Sequence, residues 1–289
     1  MKSCGKQWLL DFLFASWYNT DMNTFYDTII EFLHEKGIDA IAPLDFCHCR
    51  IINERLLERS IPTPKTAILF LIPYYTGDSA DRNISLYAVP RDYHLFAKEL
   101  KEEITALLSK MHPEGKFAVF ADHSPIDERD AAGKCGLGVI GDNHLLINEI
   151  YGSYVFLASI LTDLSLPMPA RAWQTKSCLH CGACKEACPS PSNCLSAITQ
   201  RKGDLTAEEK ALMQRTGTIW GCDVCQTVCP MNESIKPSPI PFFREKRIPR
   251  LTKDVLDGMS DEEFSTRAFS WRGRAVVERN LKIFAEDKD

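Results

Sequence analysis

The sequence predicts a mixed α/β (α+β) protein: an N-terminal domain built on a mixed sheet flanked by helices, followed by a compact cysteine-rich domain. Two observations carry this prediction. Between residues 24 and 162, apolar residues at helical spacing alternate with short apolar strands, the pattern of a sheet covered by helices. Between residues 178 and 229, eight of the twelve cysteines crowd into repeated short spacings. The expected bounds are 1–170 for the sheet domain, 171–240 for the cysteine-rich domain and 241–289 for a C-terminal helical tail.

The elements follow in order. The start, MKSCGKQWLLDFLFASWY, reads as an amphipathic helix; Asp11 interrupts its apolar part, and no cleavage pattern of a secretory signal follows. TFYDTIIEFLHEKGID is a helix closed by Gly37. Thr66–Tyr75, short and apolar between Pro64 and Gly77, is a buried strand. YHLFAKELKEEITALLSKMH is an amphipathic helix ending near Pro113, and Lys116–Asp122 is a second strand that ends in an acid. HLLINEIYGSYVFLASILTD reads as a strand, a turn at Gly152–Ser153, and another strand.

With 289 residues and 45% hydrophobic content, the chain is large enough for a packed core. A net charge of −5 gives no overall pull toward nucleic acid or an anionic membrane. No apolar run is long enough to span a bilayer. The clustering of the cysteines argues for metal binding in a reducing, cytoplasmic setting rather than for a disulfide scaffold.

KSCLHCGACKEACPSPSNC holds the run Cys-x2-Cys-x2-Cys-x3-Cys-Pro: Cys178, Cys181, Cys184, Cys188, Pro189. GCDVCQTVCP repeats only three of its positions, Cys222, Cys225 and Cys229, with Ile219 where a fourth belongs. In two-cluster bacterial ferredoxins the first three cysteines of a run hold one [4Fe–4S] cluster and the fourth crosses to the other. That rule assigns Cys178, Cys181, Cys184 and Cys229 to one cluster. Cys188, Cys222 and Cys225 take the second, completed by Cys194, the only other cysteine nearby. Three cysteines in successive x2 steps, then x3-Cys-Pro, are poor zinc-finger spacing. Cys4, Cys47, Cys49 and Cys135 are scattered; adjacent Cys-His-Cys in DFCHCR would point apart in a strand, so no cluster role is expected there.

Ahead of the cysteines, GLGVIG (Gly136–Gly141) matches Gly-x-Gly-x-x-Gly. The charged stretch before it and the strand-like HLLIN after it do not supply the strand and helix of a dinucleotide site. The glycines can still bring backbone close to another bulky ligand. In ADHSPIDER, Asp122 has two readings: a proton donor or base at a strand end, or a helix N-cap with Pro125 opening the helix.

Taken together these segments resemble the epoxyqueuosine reductase family. The resemblance rests on RDYH (Arg91–His94), on Asp122, Pro125, Glu128 and Arg129 before Gly136-Leu137-Gly138, on IGDNHLLIN and YGSYVFLASILTDL, on all eight cluster cysteines, and on RGRAVVERNLKIF. It implies a fold akin to reductive dehalogenases with a bacterial ferredoxin-like two-cluster domain. It implies two [4Fe–4S] clusters and a base-off cobalamin, with Asp122 as proton donor. Tyr93, His94, Gly136, Gly138, Gly141 and Asn143 are the implied cofactor contacts. It further implies two-electron reduction of epoxyqueuosine in tRNA to queuosine, fed by a low-potential donor such as ferredoxin or flavodoxin. The alternatives are an activator that reduces a partner's corrinoid and an electron-transfer module. Asp142 stands where the family usually has Lys, His123-Ser124 where it usually has Gly, and family members continue past this length into HEAT-like helices. FFREKRIPR (Phe242–Arg250) and RKG (Arg201–Gly203) are basic stretches that either meet RNA or are solvated surface.

Overall fold

The computed structural model describes residues 15–168 and 177–285. Cys4 and most of the expected N-terminal amphipathic segment lie outside the described residues. The architecture is mixed α/β, and the chain divides into two compact units. One is drawn from the described residues of 1–72, 99–140 and 156–177, the other from 73–98, 141–155 and 178–285. These bounds differ from the expected ones. Residues expected in the first domain divide between the two units, and the expected tail belongs to the second.

The first unit carries a four-stranded sheet in the order β1-β2-β6-β3. Its strands are β1 (Ile41–Asp45), β2 (Thr66–Pro73), β3 (Phe117–Ala121) and β6 (Val155–Thr162). β1 pairs antiparallel with β2, from Ile41 opposite Phe70 to Asp45 opposite Thr66. β3 pairs antiparallel with β6, from Phe117 opposite Thr162 to Ala121 opposite Ala158. Every residue of β2 is buried, which explains its unbroken apolar run: a central strand covered on both faces does not alternate. β1 has no counterpart among the expected elements, and Pro43 sits within it. A sheet edge is where a strand tolerates proline, since no ladder donor is needed on the outer side.

Helix α1 (Ala15–Glu35) buries Met22, Phe25, Ile29 and Leu33, spaced three or four residues apart on one stripe. Gly37, at φ +79°, ends it in the left-handed conformation. Phe25 stacks on Phe117 of β3, ring centroids 5.8 Å apart. Two further helices in this unit are α2 (Glu54–Ser60) and α4 (Glu128–Lys134), separated in the chain by α3 (Tyr93–Met111), which begins in the second unit and ends in the first. Short strands β4 (Val139–Ile140) and β5 (Leu146–Ile147) precede β6.

The second unit is built from short helices and loops. Its helices are α5 (Ala183–Glu186), α6 (Leu195–Gln200), α7 (Ala207–Thr216), α8 (Val224–Thr227), α9 (Lys253–Asp257), α10 (Asp261–Ser265) and α11 (Arg274–Ile283). Two apolar clusters hold them. One gathers Ile84, Ile219, Trp220, Leu251, Phe269 and Val276. The other gathers Leu195, Ile198, Leu212, Met213 and Ile283, with Cys222 packed against it. Residues 241–285 are therefore part of this core. Among the described residues, no helix is long and apolar enough to cross a membrane.

One buried side chain fastens α11 to the cysteine region. Asn280, fully buried, donates from Nδ2 to Thr199 O at 2.7 Å and to Ile219 O at 2.8 Å. Asn280→Ala strands Ile219 O and leaves Thr199 O only the longer contact from Arg279, so it should cost about 1–3 kcal/mol. Urea unfolding of both proteins checks this; a midpoint equal to the parent's would remove Asn280 from its clamping role.

Candidate metal centres and acid loop

The first set of thiols forms around a loop and a single helical turn. Cys178 and Cys181 precede Gly182, whose φ of +80° starts α5, and Cys184 lies within that turn. A Cβ at Gly182 would meet nothing within 4 Å, so the backbone conformation, not crowding, selects glycine there. Cys178, Cys181, Cys184 and Cys229 line one small open cavity, together with Gly141, Asp142 and Asn143. Burial pushes the Cys184 thiol up; Asp142 and the neighbouring Cys229 and Cys181 add to this. α5 packs against α8, which brings the two halves of the cysteine sequence together.

Asp142 edges this cavity. His180 Nδ1 lies 2.9 Å from Asp142 Oδ1 and 3.7 Å from Cys178 Sγ, and Lys185 Nζ lies 3.3 Å from Asp142 Oδ2. Hydrogen bonds from His180 and then Lys185 hold the Asp142 carboxyl below its ordinary range. Asp142, Cys178 and His180 are close enough to share an ion.

The second set is held by a buried carboxylate. Asp223, between Cys222 and Val224, accepts from Ser85 Oγ, from Leu86 N at 2.6 Å, from Arg82 Nη1 at 2.9 Å and from Gln226 Nε2 at 3.2 Å. Arg82 also pairs with Asp78. Residues on either side run alongside this anchor: Ile219 N donates to Asn83 O, and Ser85 N to Trp220 O, each at 2.7 Å. Gly221 has φ +71°, and a Cβ there would fall 2.3 Å from Ser85 Cβ. Burial pushes the Cys222 thiol up, with Cys194 and Cys188 contributing. The Cys225 thiol is pushed up to about 11 by burial, then by Cys222, Cys194 and Cys188. The structure thus brings Cys188, Cys194, Cys222 and Cys225 near one another. Ile219 faces the apolar core beside Trp220, while Cys194 arrives as the N-cap residue of α6.

Asp122 follows β3 directly. It is exposed and left-handed at φ +71°, a conformation uncommon outside glycine, asparagine and aspartate. It does not cap α4. That helix starts at Glu128, and Asp127 caps it, Oδ1 accepting from Asp130 N at 3.1 Å. Pro125 does not open the helix either: its carbonyl accepts from Ile52 N and Asn53 N, at 2.9 and 3.1 Å. Arg50 pairs with Asp127, and Arg50 O accepts from Asp127 N. The acid loop is therefore tied to residues 50–53.

Behind this loop lies a group that sequence reasoning missed as a site residue. Glu128 is buried, and Ser159 Oγ of β6 donates to its Oε1 at 2.6 Å. Burial pushes the Glu128 carboxyl up to about 8; the Ser159 and Ser124 hydrogen bonds oppose the shift and the Asp122 carboxylate adds to it. In sequence Glu128 looks like an ordinary acid in a first helical turn. Only the pairing of β6 with β3 shows what it meets.

Several implied cofactor contacts have roles within the fold. Gly136, at φ +81°, ends α4 as a Schellman motif: its N–H donates to Gly133 O and Leu137 N to Ala132 O. A helix thus precedes GLGVIG, not a strand, so the dinucleotide context is absent. Gly138 follows in the same unit. In the second unit, a Cβ at Gly141 would lie 2.5 Å from Asn143 Oδ1. Asn143 Nδ2 donates to Cys225 O at 3.3 Å, fastening this turn to the second thiol set. Tyr93 is buried, its ring centroid 4.2 Å from that of His94, and His94 Nδ1 lies 2.8 Å from Asp92 Oδ1. Cys47 stands in a 3-10 turn (Phe46–His48), not a strand, with Cys49 following it. Burial pushes the Cys49 thiol up to about 12.

The basic stretch FFREKRIPR is neither free nor merely solvated. Arg244 donates to Ser238 O, Arg247 to Gly77 O at 2.9 Å and Arg250 to Asp81 O at 3.0 Å. These arginines stitch loops of the second unit.

No protein-family model matches the chain. It is 35% identical over 216 residues to the epoxyqueuosine reductase of Pseudomonas aeruginosa, covering 70% of this chain and 59% of that protein. It is 33% identical over 214 residues to the epoxyqueuosine reductase of Leadbetterella byssophila, covering 70% and 69%. A solved epoxyqueuosine reductase bound to an epoxyqueuosine-modified tRNA-Tyr stem loop shares the fold: TM-score 0.75, 23% identity, 91% of this chain and 81% of that one. The fold and the clustered thiols define the class, a mixed α/β protein with a cysteine-rich unit. Its sequence relatives narrow this further: the chain belongs to the epoxyqueuosine reductase family.

Two predictions follow from this geometry. Gly221→Ala combines a left-handed backbone with the clash against Ser85, so it should cost more than about 1 kcal/mol and disturb the second thiol set first. Iron and sulfide measured after anaerobic reconstitution should fall; full loading would show that the close approach is dispensable. Glu128 gives a pH signature. Its folded pKa lies above the unfolded one, so its neutral form favours the fold at low pH, and stability is lost as pH rises toward about 8. The slope is about 1.4 kcal/mol per unit at most. Glu128→Gln should match the parent near pH 5 and exceed its melting temperature increasingly up to pH 8. A constant offset across that range would count against a neutral buried Glu128.

Proposed function

We propose that this chain is an iron–sulfur and cobalamin-dependent reductase that converts epoxyqueuosine in tRNA to queuosine. The observation that carries the reading is the division of eight thiols into two sets of four, one around the cavity of Cys178, Cys181, Cys184 and Cys229, the other around Cys188, Cys194, Cys222 and Cys225. Soft thiolate donors in this number suit [4Fe–4S] clusters. Each cluster passes single electrons, so two in sequence form a relay.

For the corrinoid, Gly141 and Asn143 line the first thiol cavity, where a group reduced by that cluster would need to come. Tyr93 and His94 belong to the same unit; Gly136 and Gly138 lie in the other. When bound, cobalamin supplies a low-valent cobalt able to act as a two-electron reductant. The reaction takes up two electrons and two protons, breaks both carbon–oxygen bonds of the epoxide, forms the alkene and releases water. Asp122 is the proton donor to the departing oxygen, presented at the end of β3 by a loop pinned at Pro125 and Asp127. Glu128, held neutral behind it, keeps a second proton within the same loop region. The electron source is a low-potential ferredoxin or flavodoxin, and a reducing cytoplasm keeps the thiols free for metal.

A second reading, reduction of a corrinoid on a partner protein, is favoured by one observation: the arginines of the basic stretch are engaged with backbone carbonyls.

Anaerobic reconstitution should load about eight irons per chain. Added cobalamin should then change spectrum on reduction, and tRNA carrying epoxyqueuosine should yield queuosine. Corrinoid binding without conversion would favour the second reading. Asp122→Asn should keep iron and corrinoid uptake while turnover falls about 100-fold or more. Unchanged turnover in that variant would remove Asp122 from the chemistry.

A further inference from the structure

Two of the eight cluster cysteines, Cys181 and Cys194, are exposed, and their surroundings differ. Cys181 opens into the cavity edged by Asp142, whose charge is met by His180 and Lys185. Cys194 opens into a broad groove of about 540 Å³, lined also by Asn193, Gln200, Arg201, Trp271 and Arg272. Among the described residues no acid lines this groove, in a chain whose acids outnumber its bases 39 to 34. Trp271 is 57% exposed, and the Arg272 guanidinium carbon lies 3.7 Å from its ring centroid. Arg201 pairs with Glu209, but the Arg201 side chain is 45% exposed and that of Glu209 only 12%. The face therefore presents the guanidinium, with its counter-ion beneath.

We propose that this groove is the docking site of a protein electron donor: a small acidic redox protein carrying its centre near its own surface. The inference rests on the reading that Cys194 ligates the second cluster. Electron transfer weakens steeply with distance, so a donor must come close to a ligand sulfur at the surface, and Cys194 offers one. Exposed Trp and Arg are the side chains that anchor protein interfaces. Fixed positive charge around a redox entry point steers an acidic partner and raises its association rate, an effect that salt screens. An exposed Trp beside Arg can also stack a nucleic-acid base, but two guanidiniums, one with an acid beneath it, make a poor track for a phosphate backbone.

The test is stopped-flow reduction of the reconstituted protein under anaerobic conditions, with reduced flavodoxin and, separately, dithionite. Arg272→Glu should slow reduction by flavodoxin about tenfold at low salt and leave the dithionite rate unchanged. Trp271→Ala should slow the flavodoxin rate as well. The parent's flavodoxin rate should fall as salt rises. Equal flavodoxin rates in parent and both variants would overturn the proposal, as would a parent rate insensitive to salt. Weakened binding of a tRNA stem loop with unchanged flavodoxin rates would assign the groove to RNA and also overturn it. A parent that assembles no second cluster would instead defeat the functional reading on which the dock rests, and iron content reports that separately.

Discussion

The second thiol set depends on one carboxylate. Asp223 sits between two cysteines in sequence, is almost entirely buried, and accepts from a guanidinium, a backbone N–H, a hydroxyl and an amide. Burial pushes its pKa up, and Ser85, Arg82 and Leu86 oppose that shift, so removing a partner leaves a buried polar group uncompensated. Because its donors Arg82, Ser85 and Leu86 come from a segment some 140 positions earlier, the anchor fixes where the Cys222–Cys225 loop lies against that segment. The requirement for glycine at 221 follows, since the chain must pass Ser85 at contact distance on its way into the loop. Gln226, the fourth donor, also accepts from Ser153, which extends the network to the Asn148–Gly152 turn.

The same network explains how a broken cysteine repeat can still hold four thiols. In an unbroken run the fourth sulfur would come from position 219. There the chain runs beside Asn83 and Ser85, and the side chain is directed into the core of Trp220 and Phe269. An apolar residue is then required, and on the proposed assignment the fourth thiol is Cys194 at the start of α6, whose Leu195 and Ile198 pack with the apolar cluster that Cys222 also touches. The displacement of Cys194 and the apolar character of residue 219 are two consequences of one packing arrangement.

Much of this was legible in the sequence, for physical reasons that differ by residue. Cysteine spacing is a local constraint imposed by cluster geometry, so it survives in the chain as a pattern. Strand β2 was legible because central strands are continuously apolar. β1 is less legible: it holds Pro43, which a strand tolerates at a sheet edge, and the sheet order places it there. The alternative of Asp122 as a helix cap failed because three acids, Asp122, Asp127 and Glu128, stand near one helix start, and propensity does not choose among them. The choice is made by residues 50–53, which claim Pro125 and Asp127. Glu128 was illegible as a buried group for the same reason: its partner Ser159 lies on a strand 31 residues away.

The acid loop and the second thiol set each bury a carboxyl, and burial pushes both up. Around the second thiol set, Ser85, Arg82 and Leu86 oppose that shift and fix the carboxyl in place. Behind Asp122, the Glu128 carboxyl is buried with two hydroxyls, and its neutral form is favoured near pH 7. The first arrangement holds a geometry; the second holds a proton. The reductive deoxygenation proposed above would use both, since electrons delivered without a proton leave the departing oxygen charged. Glu128 lies behind an exposed Asp122 whose left-handed backbone is fixed by the loop rather than by a helix. That separates the group that meets solvent from the group that burial keeps protonated. On the proposed reading, the two acids together would make the loop a proton-bearing element, which gives a reason for a costly buried glutamate at the start of α4.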